Sequence, residues 1–349
     1  MRILITCIGG HYSYLVVDSI RRVKNLSKFI LGVDVNANVN AFFVDKFETV
    51  PRADLSKSKY IKKIIYLCKK HKIDMVIPLS ENETLAISEH INFFEKHKIK
   101  TSVSSFETVN LMTDKLKMFE YLNNSGVDVG KWRKVDNFND AINALNFFEY
   151  PSKKVVIKPR FSSGSRGILI INRKKNSFVK LLSDRFCGEG SWEVIKEELK
   201  NLNKSLDNCL AMPYHGGKTF DVDCVAKRGK LLLAVPRLRA LKIYKTDPLN
   251  PILQGCTITS NKIIHNYCEK LVSTFGVHGA CDFDITIRKD FKPQLLDASS
   301  RLSGSVGASL GAGINVTAQL INTLQGKKLN KFKLPKSFKV YPVSIFVKG

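Results

Sequence analysis

Lys154-Val155-Val156-Ile157-Lys158-Pro159-Arg160-Phe161-Ser162-Ser163-Gly164-Ser165-Arg166-Gly167-Ile168-Leu169-Ile170-Ile171 is the stretch on which the fold of this chain turns. Its two ends are short β-branched runs, which favour strands, and they enclose a loop of glycine and hydroxyl residues. Small residues let successive backbone amides turn inward on phosphate oxygens. The serine hydroxyls add donors, and Lys158 brings a point charge suited to a polyphosphate. A plain Gly/Ser hairpin satisfies the same pattern, so the loop alone does not choose between them. It is not a Walker loop: Gly217-Lys218-Thr219 has the right ending, but Met212 stands where the first glycine belongs.

Outward toward the N-terminus, apolar runs at 3–5, 29–33 and 75–77 alternate with amphipathic stretches at 13–24 and 58–71. This is the β-α-β rhythm of a parallel sheet with helical crossovers, whose ligand crevice forms at the strand C-terminal ends. Gly9-Gly10-His11 follows the first strand and Asp34 the second, but GxGxxG is absent, so the segment reads equally as a tight turn or as a ligand contact. Pro78-Leu79-Ser80-Glu81-Asn82-Glu83 after the third run either caps a helix or positions a substrate. Helices are expected from about 105 and over 115–123, and another over 191–203. Antiparallel strand pairs are expected at 154–158, 167–171, 209–212, 220–224 and 231–235.

Toward the C-terminus, Asp282-Phe283-Asp284 and Leu295-Leu296-Asp297 flank an expected hairpin through Lys289-Asp290. Side chains alternate with period two, so Asp284 and Asp297 can share one face of adjacent strands. Two facing carboxylates repel unless a cation sits between them, and carboxylates with nucleotide phosphates are the ligand set Mg²⁺ favours, Mn²⁺ being a substitute. Arg301, in Arg301-Leu302-Ser303-Gly304-Ser305-Val306-Gly307, is suited to bidentate contact with a phosphate or carboxylate. Arg237 and Arg239 are further cations, and each of the three can equally be a salt-bridge partner.

Composition bounds the rest. The 349 residues, 44% apolar and 25% charged, suit two or three folded domains. The formal net charge of +25 is spread along the chain without a dense basic arm, so no specific nucleic acid is expected; it favours anionic small molecules such as ATP. Eight scattered cysteines without a CxxC pair read as reduced core thiols. No apolar stretch has membrane-spanning length and the start is too soon interrupted for a secretion signal, so no membrane partner and a cytoplasmic location are expected.

The order of these segments resembles the ATP-grasp superfamily over almost the whole chain, specifically its branch like the carbamoyl phosphate synthetase large subunit. The resemblance implies an α/β plus α+β chain: a Rossmann-like preceding domain at 1–110, a first ATP-grasp part with a phosphate-loop lid at 111–212, and a second part with the metal and substrate site at 213–349. Lys115 and Lys158 look like the family's nucleotide lysines, and Ser162, Ser163, Gly164, Ser165, Arg166 and Gly167 like its mobile phosphate loop. Met212, Pro213 and Tyr214 fall at its adenine hinge, Asp284 and Asp297 at its metal carboxylates, and Arg301 at its active-site arginine, with Arg237 and Arg239 beside it. Where the family commonly has Glu-x-Asn-x-Arg, this chain has Asp297-Ala298-Ser299-Ser300-Arg301, so Ser299 replaces an amide metal ligand, and Thr219 stands where a ribose-binding glutamate is frequent.

The implied activity is ATP- and Mg²⁺-dependent activation of a small carboxylate as an acyl phosphate, followed by attack of a small amine. A carbamoyl-phosphate-type phosphotransferase and a nucleotide-binding module without turnover are the alternatives. A homodimer is the assembly kept in view.

Overall fold

The computed structural model describes residues 1–39, 41–161, 167–173, 178–182, 185–239, 255–329 and 334–341. The chain forms two compact units, one of 1–112, 219–285 and 296–349, the other of 113–218 and 286–295. The chain passes from one to the other at 112/113, 218/219, 285/286 and 295/296.

In the first unit, β1 (Arg2–Ile5), α1 (Ser13–Arg21), β2 (Phe29–Asp34), β3 (Lys46–Thr49), α2 (Lys57–Lys70), β4 (Met75–Ile77), α3 (Glu81–Glu89), α4 (Ile91–Lys96), β5 (Lys100–Thr101) and α5 (Phe106–Thr113) follow in order. The five strands pair in parallel, in the order β3-β2-β1-β4-β5. A parallel sheet is covered on both faces, which is why its central strands are unbroken apolar runs rather than alternating ones. Ile3, Ile5 and Ile30 pack on Val16, Val17 and Ile20 of α1, while Leu4, Leu31 and Val76 pack on Tyr60 and Ile64 of α2, Ile87 of α3 and Phe94 of α4. Strand order reverses between β1 and β4, and the crevice of such sheets opens at that point. Gly9-Gly10 and Ser80-Glu81 are its two walls.

The second unit holds α6 (Lys115–Asn124), β6 (Arg133–Val135), α7 (Phe138–Phe147), β7 (Val155–Pro159), β8 (Leu169–Ile171), β9 (Phe178–Leu182), β10 (Arg185–Gly190), α8 (Trp192–Asn201) and β11 (Cys209–Pro213). Its sheet runs β6-β11-β7-β8-β10-β9. Strand β7 is antiparallel to β8 and β11, as expected, whereas β10 lies parallel to β8. That pairing departs from an all-antiparallel reading because β10, with two glycines and two charges in six residues, has no apolar alternation to announce it.

The remaining elements are β12 (Thr219–Lys227), β13 (Lys230–Arg239), β14 (Cys256–Ile258), α9 (Lys262–Phe275), β15 (Gly279–Ile287), β16 (Pro293–Ser299), α10 (Val306–Gly311), α11 (Val316–Leu324) and β17 (Phe338–Val340). Their sheet runs β16-β15-β12-β13-β14-β17, and β12 pairs antiparallel with β13 so that Asp221 faces Arg237. Asn261 caps α9 by accepting from the Ile264 amide at 3.1 Å, and Gly276 ends it in the left-handed conformation that glycine adopts without strain. All eight cysteines are free, and six of them are buried. Among the described residues, no helix is long and apolar enough to cross a membrane.

Candidate functional site

The period of two that defines a strand sets up a charged face in the first unit. On β15, Cys281, Phe283 and Ile285 are buried, while Asp282 and Asp284 alternate with them. The same alternation presents Asp221 and Asp223 on β12, Arg237 and Arg239 on β13, and Asp297 and Ser299 on β16. These four strands are neighbours in one sheet, so an Asp-x-Asp, an Arg-x-Arg, a second Asp-x-Asp and an Asp-x-Ser line up as two rungs.

The inner rung is closed. Arg237 is fully buried and donates to Asp223, to Ser303 Oγ at 3.0 Å and to Ser309 Oγ at 3.4 Å, with Asp282 at 3.5 Å. Ser309 in turn donates to Asp223 at 2.6 Å. Burial pushes the Asp282 carboxyl well above the usual carboxylate range, against the pull of Arg237.

The outer rung is half open. Arg239 donates through Nε to Asp221 at 2.7 Å and through Nη2 to Asp284 at 2.6 Å, and its side chain is 27% exposed. Burial first, then Asp221 and Asp297, push Asp284 up to about 7, with Arg239 acting against them. Asp221 moves down because Arg239 outweighs its burial, and it shares a hydrogen bond with Asp284.

Arg301 follows β16. Burial works against its charge, but Tyr12, Glu81, Asp282 and Asp297 together raise its pKa. Its Nη1 donates to the Leu302 carbonyl at 2.9 Å, and Nη2 lies 3.4 Å from Glu81. Ser299 donates to the same Glu81 oxygen at 2.8 Å.

Six carboxylates, Asp221, Asp223, Asp282, Asp284, Asp297 and Glu81, therefore stand against three guanidiniums, Arg237, Arg239 and Arg301. Among the described residues no group of three or more His, Cys, Asp or Glu side chains is arranged to hold a metal by itself. Mg²⁺ needs only one or two carboxylates beside substrate phosphates. Asp284 and Asp297, on neighbouring strands and close enough that Asp297 raises the pKa of Asp284, fit that requirement.

At the switch point of the parallel sheet, Cys7 takes a positive φ of 52° and the chain turns so that the Gly9 amide donates to Asp34 at 2.8 Å. A Cβ on Gly9 would come within 2.5 Å of Val39, so only glycine fits. In the 78–83 segment Ser80 precedes α3 without a side-chain bond to the helix backbone. Glu83 accepts from the Ser80 hydroxyl at 2.7 Å at the start of α3 and from Thr6 at 2.5 Å, while Glu81 turns to Ser299 and Arg301.

The second unit carries the expected nucleotide residues. Lys115 and Lys158 are both buried, the first opening α6 with its amide on the Arg160 carbonyl, the second on β7 with Nζ 5.4 Å over the Phe119 ring. Asp114 caps α6 and accepts from Arg160 at 2.7 and 2.6 Å, which ties the end of β7 to the start of α6. Met212 and Pro213 pair with Val156 and Val155, and the Tyr214 amide donates to the Lys154 carbonyl. Pro213, Tyr214 and His215 line a cleft of about 590 Å³ with Phe147, Phe148 and Lys154. Of the glycine-rich loop, Gly167 is described, buried and at φ 82°; Ser162, Ser163, Gly164, Ser165 and Arg166 lie outside the described residues.

Sequence reading passed over Asp221 and Asp223. Their signal is the second Asp-x-Asp, which matches 282–284 and has the complementary Arg-x-Arg on the next strand.

A preceding Rossmann-like sheet and a following α+β part with a carboxylate face describe the ATP-grasp architecture. The chain carries an ATP-grasp domain behind a PylC-like N-terminal domain: a family described as "ATP-grasp in the biosynthetic pathway with Ter operon" matches residues 205–345, and "PylC-like, N-terminal domain" matches 3–102. No curated protein sequence matches the chain. Among solved structures, the L-amino acid ligase from Bacillus licheniformis is similar with TM-score 0.65 and 13% identity, over 93% of this chain and 74% of that one. N5-carboxyaminoimidazole synthetase from Staphylococcus aureus complexed with ADP gives 0.66 and 15%, over 94% and 78%. The biotin carboxylase complex with β-γ-ATP from Campylobacter jejuni gives 0.63 and 19%, over 95% and 72%. At these identities the likeness establishes the fold.

Proposed function

We propose that the protein is a Mg²⁺- and ATP-dependent ligase that activates a small carboxylate as an acyl phosphate and couples it to a small amine. The observation that carries this reading is the carboxylate face with Arg301 at its edge: Asp284 and Asp297 as cation ligands beside a guanidinium that suits a carboxylate or phosphate. Two structural relatives hold ADP or an ATP analogue and a third is an amino acid ligase, which supports a nucleotide and an amino acid among the substrates.

In this reading the stretch 111–212 serves the nucleotide and 213–349 the metal and substrates, behind a Rossmann-like domain at 1–110. Lys115, Lys158 and the 162–167 loop receive the polyphosphate, while Met212, Pro213 and Tyr214 offer backbone to adenine. Arg301 orients the carboxylate, and Arg239 and Arg237 set the charge of the face beside it. Asp284 and Asp297, with Ser299 next to them, would hold Mg²⁺, whose chemistry is neutralisation of phosphate charge. A substrate carboxylate oxygen attacks the γ-phosphorus and ADP leaves; the amine nitrogen then attacks the acyl carbon and phosphate leaves. Such chemistry needs positioning and charge more than a covalent protein residue.

The test is a screen of amino acids and small organic acids, singly and in pairs, for substrate-dependent ADP release with Mg²⁺ and ATP, followed by product mass. ADP release that no acid stimulates overturns the proposal.

A further inference from the structure

The ligase reading asks Lys115 and Lys158 to reach one polyphosphate, and two buried like charges on separate elements repel unless something holds them in place. Both lie in the second unit, Lys115 at the first turn of α6 and Lys158 on β7. The backbone pairing of β7 runs one residue past its end, where the Arg160 amide donates to the Asn208 carbonyl at 2.7 Å. Lys158 and Arg160 both reach α6: Lys158 Nζ lies 5.4 Å over the Phe119 ring, and Arg160 forks onto Asp114 at 2.7 and 2.6 Å. Asp114 in turn accepts from the Lys117 amide at 3.3 Å, and the Lys115 amide donates to the Arg160 carbonyl at 3.2 Å. The fork is thus joined by backbone to both lysines. The Asp114 side chain is 4% exposed and that of Arg160 23%, so the pair is largely shielded from water.

Resting on the ligase reading, we propose that Asp114 and Arg160 are positioning residues for the polyphosphate, their fork fixing the separation of Lys115 and Lys158 before the nucleotide arrives. Two parallel hydrogen bonds set orientation as well as distance, which a lysine in place of Arg160 cannot do. Lysines already ordered lose less side-chain freedom when a phosphate binds. Burial would raise the Asp114 carboxyl, but the Arg160 bonds outweigh it and hold the group below the usual carboxylate range, so the fork stays charged. The pair acts through the two lysines, and its loss is felt by whatever part of a ligand they hold.

The test measures binding of adenosine, ADP and ATP, with Mg²⁺, to wild type, Asp114→Asn, Arg160→Lys and Lys158→Ala by calorimetry. Asparagine is as good a helix cap as aspartate, so Asp114→Asn removes the charge of the fork and keeps the start of α6. Affinity for ADP and ATP should fall about tenfold in Asp114→Asn and in Arg160→Lys. Adenosine, which has no phosphate, should bind both variants as it binds wild type. Added to Lys158→Ala, Asp114→Asn should cause a smaller loss than it does in wild type, because one of the lysines it positions is gone. Equal losses for adenosine and ADP, full additivity with Lys158→Ala, or unchanged ADP affinity in both fork variants overturns the positioning role while leaving the ligase reading standing. Unchanged ADP affinity in Lys158→Ala overturns the nucleotide role of the lysines, and the positioning role with it.

Discussion

Arg237 and Arg239 sit two residues apart on one strand and face the same way, yet they occupy opposite environments. The inner guanidinium is sealed by Asp223, Ser303 and Ser309; the outer one bridges Asp221 and Asp284 at the edge of solvent. A sealed ion pair has no water to replace a lost partner, whereas a half-open one can exchange its partner for another cation. The inner rung is therefore scaffold, and it fastens the 303–309 segment that follows Arg301. The outer rung is where a ligand can enter.

The sharpest break between the rungs is Arg237→Ala. It leaves the buried Asp223 and the half-buried Asp282 without their cation, a change that costs about 3–5 kcal/mol, read as a lower midpoint in denaturant. A variant that keeps wild-type stability would show the inner rung is not scaffold.

Glu83 supplies a control, a buried carboxyl stabilised by hydroxyls with no guanidinium beside it. Burial first, against the Thr6 and Ser80 bonds, pushes it up to about 7 from an ordinary value of 4.5. A native pKa above the unfolded one means the folded state holds the proton more tightly. Its contribution is full below about pH 4.5 and is lost as pH rises through about 7, a total of about 3 kcal/mol. Glu83→Gln should remove that slope from the stability–pH curve, and identical slopes in both proteins would refute the assignment.

On the outer rung, Asp297→Asn removes a proposed cation ligand while relieving repulsion on Asp284. ATP turnover should fall about a hundredfold, equivalent to about 2.7 kcal/mol of activation free energy, with the melting temperature held or raised. Added Mg²⁺ or Mn²⁺ should restore part of the rate. A stable, fully active Asp297→Asn protein removes the metal assignment.

Much of this was legible in advance because it is local. The apolar runs at 3–5, 29–33 and 75–77 and the pairing of 154–158 with 167–171 needed only periodicity and turn chemistry. The rungs needed more. Asp221 meets Arg237 across a hairpin, but Asp221 meets Asp284 only because β15 returns beside β12 after α9. Nothing in Pro236-Arg237-Leu238-Arg239 says which arginine is enclosed, since the enclosure is made by Ser303 and Ser309, far along the chain. Glu81 and Glu83 likewise differ by a contact with Ser299 that no local rule supplies.

The smallest expected effect, and the finest probe of the two rungs, is Arg239→Gln. The side chain is partly solvated, and its partners Asp221 and Asp284 keep 16% and 26% of their side-chain exposure, so water can take over what the guanidinium gave. The stability loss should be no more than about 1 kcal/mol, well below that of Arg237→Ala. The informative change is in metal dependence. Arg239 places a positive charge on Asp284, so in the proposed reading a Mg²⁺ ion held by Asp284 would compete with that contact. Without the guanidinium the cation meets less competition, and the Mg²⁺ concentration for half-maximal ADP release should fall severalfold. A stability loss as large as that of Arg237→Ala would erase the distinction between the rungs. An unchanged Mg²⁺ requirement would mean that Arg239 and the metal do not compete for Asp284.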